Sequence, residues 1–415
     1  MGFFSVNETR SKSRPDGKVY SCASCGLYQK VLSPRIEPFG KFKKRIMNIG
    51  EAPGETEDRR GKPWQGQAGQ VLQRMYEKMG IDLFEDCINI NSINCRPTSS
   101  TGNRPPATNE INACRGRVLQ AIHEYKPHMI VLLGGTAVQS VIGNQWKKNL
   151  GGIGKWRGWT IPDRGFGAWV CPVFHPSYVM REEKNPAVSK IWQMDLENAL
   201  TKLGEPLSFA DERDRVNILT DPHEVEAQLG KLCLSSSPVA VDFETTGIKP
   251  HRKGHQVACI SIADIDGNAH VFLKPKRKKG MFELKRLFHS QVGKIAHNMK
   301  YEDTWAAERL HPIQNWTWDT MLAAHMLDNR PGITGLKFQT YVHLGVPDYD
   351  SSITQYIHSS GASANEMNKV FDAPEDELMM YCGLDTIYTY EIAKRQMKQM
   401  DMEDLLNGTR NGLWK

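Results

Sequence analysis

Arg45-Ile-Met-Asn-Ile49 runs directly into Gly50-Glu-Ala-Pro-Gly-Glu-Thr-Glu-Asp58. A short apolar run that ends in a Gly- and Pro-bearing turn reads as a strand feeding a loop. The pattern recurs downstream. Ile88-Asn89-Ile90, Met129-Ile-Val-Leu-Leu133 and Val170-Cys-Pro-Val-Phe174 are further short apolar strands, each followed by a motif rich in Gly, Pro or His. Helical stretches lie between them, at Gly69 to Lys78 and at Thr108 to Glu124. Strands alternating with helices predict an α/β unit, a parallel sheet with helices on both faces. Open parallel sheets bind ligands at the edge where such turns gather.

Gly204 to Arg215 is polar and linker-like, and divides the chain into a first block, 1–203, and a second, 216–415. The second block begins with strands at Val239-Ala-Val241, Val257 to Ile262 and Ala269 to Leu273, the last two joined by a Gly267-Asn268 hairpin turn. From Phe282 the pattern is mostly helical. Strands first and helices after predict a mixed sheet flanked by helices.

The whole chain has 415 residues and a net charge of +6, with 40% hydrophobic and 24% charged residues. That suits two or three soluble domains and excludes collagen-like, disordered and membrane classes. No apolar run approaches the ~18 residues of a spanning helix. Met1 to Gly17 lacks the form of a secretory signal, so a cytoplasmic setting is expected, in a bacterial cytosol or a phage-infected cell. Nine cysteines, an odd number, argue against a disulfide framework. Clustered cysteines then mean metal or a cluster.

Cys22-Ala-Ser-Cys25 aims two thiolates at one centre, and Cys95 and Cys114 can complete a four-thiolate site. Spacing alone leaves zinc and an iron–sulfur cluster both open. Around these cysteines stand Gly50 to Asp58, Gly61-Lys-Pro-Trp-Gln-Gly-Gln-Ala-Gly69, Asn91 before Cys95-Arg-Pro97, Asn103-Arg-Pro105 and His175-Pro-Ser-Tyr-Val-Met-Arg181. In this order, over about residues 20 to 200, the motifs resemble the iron–sulfur (family 4) uracil-DNA glycosylases. The resemblance implies a glycosylase-like three-layer α/β/α domain with a central parallel sheet, a [4Fe–4S] cluster on Cys22, Cys25, Cys95 and Cys114, and hydrolysis of the N-glycosidic bond of deoxyuridine. It also implies roles. Ala52 and Gly54 line the uracil pocket, Trp64 stands where the family usually has Phe and stacks on the base, and Asn91 reads the uracil edge. His175 stabilises the charge that develops on uracil. Glu51, with Glu57 as second choice, orients the attacking water.

In the second block, Val241-Asp-Phe-Glu-Thr-Thr-Gly247 ends a strand, where residues i and i+2 share a face. Asp242 and Glu244 therefore project together and can hold a divalent metal. In Tyr381-Cys-Gly-Leu-Asp385 a helical i, i+4 spacing aligns Tyr381 with Asp385. Between them lies His297-Asn-Met-Lys-Tyr-Glu-Asp303. These motifs, over about residues 216 to 400, resemble the Tyr subgroup of DEDD-type (DnaQ-like) 3′–5′ exonucleases, which includes the proofreading domains of family A DNA polymerases. The resemblance implies a ribonuclease H-like fold and two metal ions, Mg²⁺ or Mn²⁺, held by Asp242, Glu244, Asp385 and one residue of the middle motif. Glu302 is preferred there over Asp303, Tyr381 orients the water, and Asp319 is expected to be structural. No polymerase signature follows Asp385.

Together the two blocks predict a bifunctional enzyme acting on uracil-containing DNA with 3′ ends. The alternative is a module that recognises uracil or modified bases and guides an exonuclease. Lys274-Pro-Lys-Arg-Lys-Lys279 is a basic run that can meet DNA phosphates or solvent. Oligomeric state is not legible.

Overall fold

The computed structural model describes residues 21–146, 148–358 and 366–407. The stretch Met1 to Gly17, read above for a secretory signal, lies outside the described residues. Among the described residues, no helix is long and apolar enough to cross a membrane. The chain divides into two compact units, one running to Ser208 and including Tyr341–Pro347, the other Phe209–Thr340 and from Asp348 onward. The division at Ser208 falls inside the polar stretch read as a linker.

Among the described residues of the first unit seven strands form in chain order: β1 Ile46–Gly50, β2 Cys87–Asn91, β3 Thr98–Ser99, β4 Gly102–Asn103, β5 Met129–Leu133, β6 Ile161–Asp163 and β7 Ala168–Val173. Five of them make one sheet in the order β2-β1-β5-β7-β6. β2, β1, β5 and β7 are parallel. β6 adds an antiparallel edge that three residues are too few to announce in the sequence. All four parallel strands are buried along their whole length, which is why β5 and β7 read as continuous apolar runs, while in β1 and β2 the buried Asn48 donates a hydrogen bond to Asn89. Helices Gln67–Lys78 and Pro186–Thr201 pack Leu72, Tyr76, Trp192 and Leu196 into that core. The C-terminal ends of β1, β2 and β7 lead to the turns at Glu51, Ser92 and His175.

Among the described residues of the second unit six strands follow: β8 Val216–Ile218, β9 Val239–Thr245, β10 Val257–Ala263, β11 Ala269–Leu273, β12 Lys294–Ala296 and β13 Trp316–Asp319. Their order is β13-β12-β9-β10-β11-β8. β9, β10 and β11 are antiparallel neighbours, and parallel pairs flank them at both sides. β12 and β13 are short strands set among the helices, so the division into strands first and helices after is incomplete. The sheet has a core on each face. Val239, Val241 and Phe243 of β9 face a core shared with helices Pro222–Leu232 and Lys278–His289. Ala240 faces the other core, with Tyr381, Cys382 and Ile387 of the 25-residue helix Glu375–Gln399. Strand parity therefore sends Asp242 and Glu244 toward the long helix.

Candidate active sites

In the first unit a cavity of about 420 Å³ opens at the C-terminal edge of the sheet. Its lining includes Glu51, Ala52, Gly54, Glu57, Trp64, Asn91 and His175, so every residue anticipated for the uracil pocket and its water meets in one place. Crowding explains the glycines around it. A Cβ on Gly50 would lie 2.3 Å from Asn91 Oδ1 and 2.8 Å from the Trp64 ring, and one on Gly69 would lie 2.0 Å from the Trp64 carbonyl oxygen. Trp64 itself has φ 59°, in the left-handed region that side-chain-bearing residues rarely adopt. A residue held there at a cavity wall is pre-set rather than relaxed. Its ring stacks on His175 with centroids 5.5 Å apart and planes 30° apart, and its buried indole N–H has no hydrogen-bond partner.

His175 caps helix Pro176–Arg181. Its Nδ1 accepts a hydrogen bond from the Ser177 backbone N–H at 3.2 Å, so the proton of the neutral ring sits on Nε2. Burial, and secondarily the nearby Arg181 charge, holds the imidazole down at about 4, and the ring is neutral at pH 7. The two glutamates differ. Glu51 accepts a hydrogen bond from the Thr136 hydroxyl at 2.9 Å and keeps its other oxygen for a further donor. Glu57 spends both oxygens on the chain, accepting from Gly54 N–H at 3.1 Å and from Gly66 N–H at 2.8 Å. It clasps the two turns that form the cavity wall.

The four cysteines also converge. Cys22 and Cys25 sit on a four-residue helix capped by Ser21, Cys95 follows β2, and Cys114 lies in helix Thr108–Tyr125. Cys25, Cys95 and Cys114 share a small core with Leu27, Ile93 and Ile111. Burial pushes the thiols of Cys25 and Cys95 up, and Cys114 to about 12; the Glu110 and Cys22 charges add to this at Cys25, and those of Cys22 and Cys25 at Cys95 and Cys114. Backbone N–H groups nonetheless point at the sulfurs. Arg35 donates to Cys95 Sγ at 3.3 Å, and Asn94 and Leu27 donate to Cys114 and Cys25. Four soft donors in an apolar shell, with N–H groups aimed at sulfur, fit a thiolate-bound iron–sulfur group.

In the second unit, Asp242, Glu244 and Cys382 bring one ligand atom each within 4.8 Å of one another. Burial, then the charge of Asp385, pushes Asp242 up to about 7. Burial and the Asp242 charge push both Glu244 and Glu302 well above the carboxylate range. Glu302 Oε2 is buried with no hydrogen-bond partner. Asp303, its neighbour, turns aside and accepts a hydrogen bond from the Trp316 indole at 2.9 Å. Asn298 is the left-handed cap of helix Met299–Arg309 rather than a member of it, and burial distinguishes Glu302 from Asp303. Asp319 accepts from the N–H groups of Asn298, Met299, Met321 and Leu322, the structural task expected of it. A cluster of buried carboxylates with an orphaned oxygen is a fitting cradle for divalent cations.

Two neighbours escaped the sequence reading. Lys337 Nζ lies 2.5 Å from Asp385 Oδ1 and sits over the rings of Tyr349 and Tyr381, 3.8 and 4.2 Å from their centroids. Cys382 Sγ approaches Asp242 Oδ2 at 3.6 Å. Only the Tyr381 motif hinted at Cys382, and no local pattern marks Lys337.

Comparison with known proteins matches both units. Residues 37–196 match the uracil DNA glycosylase superfamily, and residues 216–401 match a 3′–5′ exonuclease family. A type-4 uracil-DNA glycosylase of Saccharolobus solfataricus is 35% identical over 196 residues, 46% of this chain and 84% of that protein. One from Thermotoga maritima is 35% identical over 182 residues, 44% of this chain and 89% of that protein. A DNA polymerase of Bacillus phage SP01 is 26% identical over 325 residues, 70% of this chain and 33% of that protein, a breadth greater than either unit alone.

Proposed function

The chain belongs to the type-4 branch of the uracil-DNA glycosylase superfamily and carries a 3′–5′ exonuclease domain, and from that premise we propose how its residues excise uracil and degrade DNA. The observation that carries the reading is the meeting of Trp64, Asn91 and a neutral His175 in one cavity.

A uracil turned out of the base stack enters that cavity. Trp64 offers an aromatic face to the ring. Asn91 donates to O4 and accepts from N3–H with one amide, which matches uracil and mismatches cytosine. As the glycosidic bond breaks, electron density moves onto the uracil ring. His175, with its proton fixed on Nε2, donates to the oxygen where that charge collects. A neutral donor suits this task because it needs no prior protonation at pH 7. Glu51, steadied by the Thr136 hydroxyl, orients the water that attacks the sugar. Glu57 supports the wall without touching the reacting atoms. Cys22, Cys25, Cys95 and Cys114 hold a [4Fe–4S] cluster, whose contribution is to tie the N-terminal segment to helix Thr108–Tyr125, since the hydrolysis moves no electrons.

In the second unit Asp242, Glu244, Glu302 and Asp385 hold two divalent ions. Those ions, when bound, supply a nucleophilic water and neutralise the departing 3′ oxygen. Tyr381 orients that water, and Lys337 steadies Asp385. Uracil-containing oligonucleotides, incubated with and without Mg²⁺, test the reading. Alkali-labile sites should form in both conditions and shortened strands only with Mg²⁺. Tight binding without base release would favour a recognition module instead.

A further inference from the structure

The basic run after β11 borders a second cavity, in the exonuclease unit and separate from its carboxylates. It measures about 220 Å³, and its walls are apolar: Leu219, Pro222, Val225, Phe272, Pro275 and Met379 all contribute. Glu226 also lines it. Its side chain is only 3% exposed, and both carboxylate oxygens are buried without a hydrogen bond. Two cations and a histidine ring stand nearby, Lys279 Nζ at 3.4 Å, Arg277 Nε at 3.6 Å and His223 Nδ1 at 3.8 Å. None donates a hydrogen bond to it. Lys276, Arg277 and Lys279 are exposed at the rim.

A buried carboxylate that is ion-paired but makes no hydrogen bond can take a ligand with two parallel N–H groups. Two common groups supply that pair, the guanidinium of arginine and the Watson–Crick edge of guanine. The rim decides between them. Its cations repel an arginine-bearing peptide and attract a phosphate. The flat apolar walls suit a base face, and the volume has room for one base rather than the ~300–1,000 Å³ site of a whole drug-sized ligand. We infer that this cavity is a guanine-binding site, in which Glu226 accepts from N1–H and the N2 amine while Lys276, Arg277 and Lys279 take the attached phosphate. The base comes either from a free guanine nucleotide or from the single strand on which the enzyme acts.

Full-length protein in a metal chelator, which silences nucleotide release, is titrated by calorimetry with GMP, AMP and inosine monophosphate. GMP should bind on the order of tenfold tighter than AMP, because a bidentate base contact discriminates by roughly that much or more. Inosine monophosphate lacks the N2 amine and should fall clearly below GMP, a comparison that needs no mutant. Glu226→Gln should erase the preference. Short single strands with and without one guanine form the second arm. A preference in both arms supports a nucleotide site, and one in the strand arm alone supports a site for the DNA strand. Equal binding of guanine and non-guanine probes in both arms overturns the inference, as does a preference that survives in Glu226→Gln. Uracil release and nucleotide release are separate readouts, so their failure would be told apart from failure here.

Discussion

The glycosylase cavity and the exonuclease site are both polar, yet they balance charge in opposite ways. In the first, the side chains set against the base are neutral, and the carboxylates Glu51 and Glu57 are each held by hydrogen bonds from the protein. His175 is held uncharged by burial, Asn91 and Trp64 carry no charge, and Glu57 is satisfied by two backbone N–H groups. The second crowds Asp242, Glu244, Glu302 and Asp385 together with Lys337 as the cation bonded to Asp385. A site that must stabilise charge only as a bond breaks can be complete in the protein alone. A site that crowds buried carboxylates holds protons instead of charge, and takes up its charged form only with cations.

The strongest way to break this contrast is to remove one exonuclease carboxylate. Asp242→Ala should lower nucleotide release by about 10³-fold or more, since a metal site is worth several kcal/mol of transition-state stabilisation. Uracil release should be unchanged in the same preparation. Next, His175→Ala should lower uracil release by ~10²-fold or more and leave nucleotide release as it was; single-turnover assays read both. An intermediate effect separates neighbours in the middle motif. Glu302→Ala should cut nucleotide release far more than Asp303→Ala, whose loss is the hydrogen bond to Trp316, about 1 kcal/mol of stability by thermal unfolding. Equal rates for the two variants would remove Glu302 from the site.

The smallest effect is one of pH. An unfolded histidine takes up a proton near 6.5, whereas His175 does so near 4. Between those values the unfolded chain binds more protons than the native one. The stability that His175 contributes is therefore present above about 6.5 and is lost as pH falls toward 4. Its hydrogen-bonding form persists over the same window, so the uracil-release profile should show no loss at 6.5. An inflection there would mean that His175 titrates like an exposed ring.

Much of this was legible in the sequence, for identifiable reasons. Parallel strands buried on both faces leave apolar runs such as Met129 to Leu133, and strand parity alone places Asp242 beside Glu244. What escaped were features without a local pattern. β12 and β13 are three and four residues long and carry no readable period. Lys337 meets Asp385 across 48 residues, in a stretch where a lysine reads as surface. The hydroxyl of Thr136 reaches Glu51 across 85 residues. The left-handed backbone of Trp64 and its close approach to Gly50 and Gly69 are revealed only by the folded chain. Glu226 lies in helix Pro222–Leu232, where no local pattern announces its burial.

The most direct test of a metal-free pocket beside a metal-requiring one is a single chelator titration that follows both products from one uracil-containing strand. The account predicts that EDTA stops nucleotide release completely, that Mg²⁺ restores it, and that uracil release proceeds at the same rate throughout. Uracil release that stops with the chelator and returns with Mg²⁺, or nucleotide release that persists without metal, would contradict it.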